Sequence, residues 1–181
     1  MNAIHHPRGR KGHVTSAEFT RAMGAAATGV TVVTTEGVAG RFGLTVSAIA
    51  SVSAEPPLLL VCVNRRNPCV SAMTQNGRFA VNILAETQED VARLFSGKPV
   101  SGAAYDFAQH GWATGEAGMP LLTGAAAHFE CEVDTIHDAG THRIFIGRVI
   151  AAERGERPPL LYSNRRYGRL ADLGDGPTDT H

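Results

Sequence analysis

The chain has 181 residues, 43% hydrophobic and 19% charged, which suits one globular domain with a sizeable core. Basic and acidic side chains both number 17, so no charge excess draws the protein to nucleic acid or to an anionic membrane. No apolar run approaches the roughly 20 residues that cross a bilayer, and three cysteines without CxxC or zinc-type spacing point to reduced thiols in a cytoplasmic protein. In chain order, residues 1–14 are basic and lack the apolar run of a signal peptide, so they are expected as a flexible tail. His5 and His6 in it read as a metal pair or as mobile side chains. Thr15 and Glu18 have capping-box spacing, and Phe19, Ala22, Met23 and Ala26 share a helical face. "VTVVTTEG" from residue 30 is predicted as a strand. "GLTVSAIASVS", 43–53, is predicted as the next, with Leu44, Val46, Ala48, Ala50 and Val52 on one face and Thr45, Ser47, Ile49, Ser51 and Ser53 on the other.

Pro56 and Pro57 break that strand. "LLLVCVN", 58–64, is an almost continuous apolar run, the pattern of a strand buried on both faces. "NPCVSAMTQNG" predicts a short helix with Asn67 as N-cap and Pro68 in its first turn. "FAVNIL", 79–84, is a strand, and "ETQEDVARLFSG" a helix with Val91 and Leu94 or Phe95 inward. Residues 98–125 are irregular and hold Trp112. "AAHFECEVDTI" and "HRIFIGRVIAAE" form a hairpin around "DAGTH", "PLLYSNRRYG" closes the domain, and 171–181 are an acidic tail. The domain is thus 15–170. Strands dominate without regular β-α-β alternation, which favours an antiparallel barrel with peripheral helices.

GxGxxG, GxxxxGK[ST], GxSxG and HExxH are all absent, so a nucleotide here sits on no Rossmann or P-loop element. The hydroxyl row is either an ordinary solvated face or a polar lining for a ligand. No Lys or Glu interrupts it before Glu55, and Arg41 and "NRRN", 64–67, flank it, which suits a ligand with a sugar chain and a phosphate. Arg65 and Arg66 stand just before the helix opened by Asn67 and Pro68, as solvated turn arginines or as an anion site. Asn82 within an apolar strand either satisfies backbone or reaches a ligand amide. His142 is a surface residue at a hairpin end or an imidazole at a pocket mouth. Arg165, Arg166 and Tyr167 are surface charges with a half-buried ring, or partners of a second nucleotide.

"GVTVVTT", "GLTVSAIASVSAEPPLLLVCVNRRN", "FAVNIL", "GTHRIFIGRV" and "LLYSNRRYG" occur in the order found in the short-chain NAD(P)H:flavin reductases, which the chain resembles over roughly 15–170. That resemblance implies a split β-barrel, a mainly β fold that binds FMN or FAD and works as a homodimer. It implies hydride transfer from NADH or NADPH to the flavin, with reduced flavin passing to a partner monooxygenase. Thr45, Val46, Ser47 and Ala48 would lie beside the isoalloxazine, with Ser51 and Ser53 toward the ribityl chain and phosphate. Asn64, Arg65 and Asn67 match the phosphate-side segment, and Asn82 the asparagine of the next strand. His142 stands where the family places a histidine beside nicotinamide and flavin, although Thr141 replaces the aspartate common before it. Tyr167 is a weaker match. Two rivals of other classes are a tight flavoprotein that reduces a corrinoid cobalt, ferric iron or a quinone, and a flavin- or haem-binding barrel without catalysis.

Overall fold

In the computed structural model, which describes residues 14–171, the first helix forms where the capping box places it. Helix α1 (Ser16–Met23) is closed by Thr15, whose hydroxyl accepts from the Glu18 amide at 3.2 Å while the Glu18 carboxylate accepts from the Thr15 amide at 3.0 Å. Its apolar face is not buried. Phe19 is 61% exposed and Met23 54%, so the amphipathic pattern does not point into the core. His5, His6 and nearly all of both expected tails lie outside the described residues.

After β1 (Thr28–Gly29) come β2 (Thr31–Thr35), β3 (Phe42–Val46), β4 (Ile49–Ala54) and β5 (Pro57–Asn64). Helix α2 (Pro68–Asn76) follows, with the Asn67 side chain accepting from the Cys69 amide and Gly77 closing it at φ 68°. β6 (Arg78–Ile83), α3 (Glu89–Phe95), and the β7 (Trp112–Thr114) and β8 (Pro120–Leu122) pair come next. The long hairpin β9 (Ala127–Ala139) and β10 (His142–Arg154) turns at Gly140, and β11 (Leu161–Ser163) and β12 (Arg166–Gly168) end the described chain.

The main sheet has seven antiparallel strands in the order β3-β2-β6-β9-β10-β5-β4. Its outermost strands, β3 and β4, are separated in sequence by only Ser47 and Ala48. The three steps from Val46 to Ile49 span at most about 11 Å, so the sheet curls until its edges meet and closes as a barrel split at that corner. The Cys62 amide donates to the Ala48 carbonyl at 2.9 Å and holds the corner against β5. Val33, Val61, Val63, Phe79, Val81 and Phe145 fill the interior, with Met73 of α2 among them. Each such side chain contributes about 1.5–3 kcal/mol on burial. Gly147 is required here, because a Cβ on it would stand 2.5 Å from Cζ of Phe79. A second cluster, with Val32, Leu84, Val91, Leu94 and Phe95, packs α3 on the outside of β2.

Two sequence expectations are corrected. Residues 43–53 are not one strand. Leu44 and Val46 pack on the barrel interior before the corner, and Ile49 packs there after it. The corner advances the alternation by one residue, so Val52 is 45% exposed and the hydroxyls divide between two faces. A bulge between Ser51 and Ser53 shifts the register again. The second correction is β5, which is not buried on both sides. Leu59, Val61 and Val63 face the core, while Leu58, Leu60 and Cys62 are half-exposed on the outer face.

Candidate functional site

The corner and the small β1-β11-β12 sheet enclose a cavity of about 820 Å³. Thr45, Val46 and Ser47 form one wall, Glu89, Arg93 and Ser96 of α3 another, and Tyr162, Arg165, Arg166 and Tyr167 a third, with Lys98 and Val30 completing it. Four of the expected site residues, Thr45, Val46, Ser47 and Tyr167, therefore meet in one cavity. The Thr45 hydroxyl is already used, donating to the Ala92 carbonyl of α3 at 2.8 Å. What β3 offers a ligand is its neutral edge and the exposed Ser47.

Arg93 organises the opposite wall. It donates to Glu89 at 2.6 and 2.8 Å and lies 5.3 Å from the centre of the Tyr167 ring, while Tyr162 approaches Tyr167 at 5.1 Å. The bonds to the Glu89 carboxylate raise the Arg93 pKa. Burial raises that of Tyr167, with Arg93 opposing it. One face of the Tyr167 ring is thus occupied by a cation. Sequence reasoning missed Arg93, Glu89, Lys98 and Tyr162, since a Glu and an Arg four apart on a helix look like a solvated pair. The only signal was the aromatic pair Tyr162 and Tyr167 flanking two arginines.

A second group lies at the same end of the sheet. Register pairs His142 with Asn64 on the neighbouring strand, and Ala48 lies across from Cys62. With strands about 4.8 Å apart, His142 is two strand spacings, roughly 10 Å, from the corner. Its Nδ1 shares a 2.9 Å hydrogen bond with the Thr141 hydroxyl. Asp138, the acidic residue nearest the turn of the same hairpin, is engaged by Arg143 at 2.7 and 3.1 Å and by Arg65 at 3.6 Å. Bonding to Arg143 holds its carboxyl below the usual range. Thr141 therefore orients the imidazole in place of a carboxylate. Arg65 and Asn67 line a smaller cavity of about 380 Å³ with Arg66 and Arg143. The side-chain oxygens of Asn64 and Asn67 accept from the amides of Arg66 and Cys69, at 3.0 and 2.9 Å, so both shape the turn.

Six expected site residues line neither of these cavities: Ala48 at the corner, Asn64 and His142 on the neighbouring strands, and Ser51, Ser53 and Asn82. Asn82 is fully buried and lines neither cavity. Its amide donates to the Val32 carbonyl at 3.0 Å and accepts from the Leu122 amide at 2.8 Å, which leaves nothing for a ligand and selects the backbone-satisfying reading. Ser51 and Ser53 lie on the edge strand β4 outside the large cavity, and Ser53 accepts from the Glu55 amide at 3.2 Å. Cys69 and Cys131 are buried, and desolvation pushes both thiols up to about 12, so they pack rather than react. Among the described residues no cluster has metal-ligand character, and no helix is long and apolar enough to cross a membrane.

These features can be set beside known proteins. The chain is similar to an "FMN reductase (NADH) RutF" from Methylorubrum extorquens, 43% identical over 159 residues that cover 87% of this chain and 76% of the relative. It superposes on the NADH:FAD oxidoreductase SgcE6 of Streptomyces globisporus, solved in complex with NAD and FAD fragments, with a TM-score of 0.80 and 37% identity over 88% of this chain and 94% of that one. BorF, the flavin reductase component of a bacterial two-component tryptophan halogenase, gives a TM-score of 0.79 at 37% identity over 87% and 99%. Residues 23–171 match the flavin reductase like domain, and the chain belongs to that family of split-barrel proteins.

Proposed function

We propose that the protein is an NAD(P)H:flavin oxidoreductase that reduces FMN or FAD and releases the reduced flavin to a partner oxygenase. The observation that carries this reading is the large cavity, in which the neutral edge of β3 faces four cations and two tyrosines brought from two distant parts of the chain. Those groups fit a flat heteroaromatic ring with a phosphorylated arm. Main chain and Ser47 suit the ring edge, and guanidinium groups suit the phosphate. The flavin supplies the hydride acceptor and the nicotinamide the donor. The protein's part is positioning. In this reading Val46 and Ser47 border the cavity for the ring, with Ala48 next to them at the corner, and His142, held by Thr141, is assigned to the nicotinamide from outside that lining. Asn64, Arg65 and Asn67 shape a neighbouring anion-binding turn, and Ser51 and Ser53 offer hydroxyls along the β4 edge. A cavity of this lining needs no general base, which agrees with a reaction driven by orientation.

The working unit in this reading is a homodimer in the cytoplasm. The outer face of β5 and β10 supports it: Ile144 pairs with Cys62 and Ile146 with Leu60, and these apolar side chains are half-exposed outside the core. A second copy covering that face would give β5 the two buried sides its sequence pattern expects. The two-component organisation named for BorF supports a diffusible product.

The test is steady-state oxidation of NADH and of NADPH without flavin, then with FMN, FAD or riboflavin. A rate that saturates with added flavin is expected. Turnover that demands a further acceptor with flavin retained, or binding without turnover, would overturn the reading.

A further inference from the structure

The turn joining β11 to β12 carries a residue in an unfavourable conformation. Asn164 has φ 47° and Arg165 φ 63°, both in the left-handed region. A two-residue hairpin turn of this kind favours Asn followed by Gly. Asn164 obeys that preference, and Arg165 occupies the position where a Cβ is penalised. The turn is fixed from below, with the Asn164 amide donating to the Gly24 carbonyl at 2.7 Å and the Ser163 hydroxyl to the same oxygen at 3.4 Å. Strain of this sort persists where the side chain is needed.

Arg165 is among the residues that line the large cavity. Of the four cations there, Arg93 is neutralised by Glu89, whereas Arg165, Arg166 and Lys98 have no carboxylate partner among the described residues. The remaining lining is neutral or aromatic. The cavity is thus short of negative charge on the one wall where the backbone is strained.

We propose that Arg165 is a ligand for the phosphate of the bound nucleotide, retained in place of glycine for that contact. The assignment deepens the flavin-reductase reading and rests on it. The phosphate belongs to the flavin's ribityl phosphate or to the nicotinamide dinucleotide's pyrophosphate, two sources of one chemistry. A planar guanidinium meets either in a paired geometry that lysine reproduces only as a point charge.

The test is equilibrium titration of the purified protein, without turnover, using FMN, riboflavin and NAD+, on wild type, Arg165→Gly and Arg165→Gln, with melting followed in parallel. Arg165→Gly is expected to raise the melting temperature by about 2–4 °C, because glycine relieves the turn. It should also weaken one nucleotide about tenfold, the size of one lost charge-assisted contact. Loss on FMN but not riboflavin assigns the flavin phosphate, and loss on NAD+ assigns the pyrophosphate. Arg165→Gln, which keeps the strain, should show the same loss without the gain in stability. Unchanged affinities in both variants would overturn the proposal while leaving the reductase reading standing. Wild-type protein that binds neither FMN nor NAD+ would overturn both.

Discussion

The hydroxyl of Thr45 donates to the carbonyl of Ala92 at 2.8 Å, pinning the last turn of β3 to the middle of α3. The two walls of the large cavity are thereby linked by one side chain. Thr45→Val keeps the shape and removes the donor, so unfolding free energy should fall by about 1 kcal/mol. Flavin affinity should fall with it, because α3 carries Arg93. Denaturant unfolding with a flavin titration measures both. Wild-type affinity at reduced stability would limit Thr45 to a structural tie.

Asn82 gives a contrasting expectation. Its amide joins β2, β6 and the β8 segment through Val32, Leu122 and the Thr34 hydroxyl, and none of these bonds faces a cavity. Asn82→Leu leaves buried groups unpartnered and should cost about 2–4 kcal/mol. Flavin affinity of the folded fraction should stay within about twofold, since no ligand contact is lost. A large drop in affinity at unchanged stability would return Asn82 to the ligand.

The outer face of β5 and β10 predicts the oligomer. Leu60→Lys with Ile146→Lys puts charge on a half-exposed apolar pair while Leu59 and Phe145, on the interior side, stay in place. Sedimentation velocity should show a dimer for wild type and a monomer for the double variant. A wild-type monomer at micromolar concentration would sink the homodimer reading.

Asp138 sets an acid-side expectation. Its pKa is lowered from 3.8, first by hydrogen bonding to Arg143 and then by the Arg143 and Arg65 charges. A carboxyl depressed in the folded state stabilises above its unfolded pKa and loses that contribution as pH falls through the folded value. The stability advantage of wild type over Asp138→Asn should therefore be full near neutrality, shrink below pH 3.8 and vanish at lower pH. Urea unfolding across pH measures it, and an advantage independent of pH would assign the effect to packing instead. The pair is exposed, so high salt should reduce the advantage.

Local signals in the sequence carried well into the structure. The Thr15 capping box, the Asn67 cap with Pro68 and the inward turn of Val91 form where residue spacing places them, while Leu94 and Phe95, read as alternatives, are both buried. Each depends on neighbours within four positions. The row of hydroxyls did not survive, because a two-residue corner flips the alternation and nothing local marks it: Ser47 and Ala48 are acceptable in a strand. The continuous apolar run of β5 did not mean burial on both faces of this chain, since Leu58, Leu60 and Cys62 stay half-exposed. Arg93 escaped notice because its ring partner, Tyr167, lies far along the chain. Asn82 was recognised as unusual, and its partners came from segments that no local pattern connects to it.

The joining of β3 to β4 through Ser47 and Ala48 also bears on how the molecule assembles itself. Chain neighbours there occupy opposite ends of the strand order, and the path between them across the sheet includes the pairing of β6 with β9, where Arg78 meets Glu132, 54 residues apart. The corner becomes a clasp between the two edges only once strands far apart in sequence have paired and loop-closure entropy has been overcome. Refolding should then take on the order of milliseconds to seconds rather than microseconds. A nucleotide lodged at the clasp would slow its reopening, so ligand would be felt in the unfolding rate more than in the folding rate.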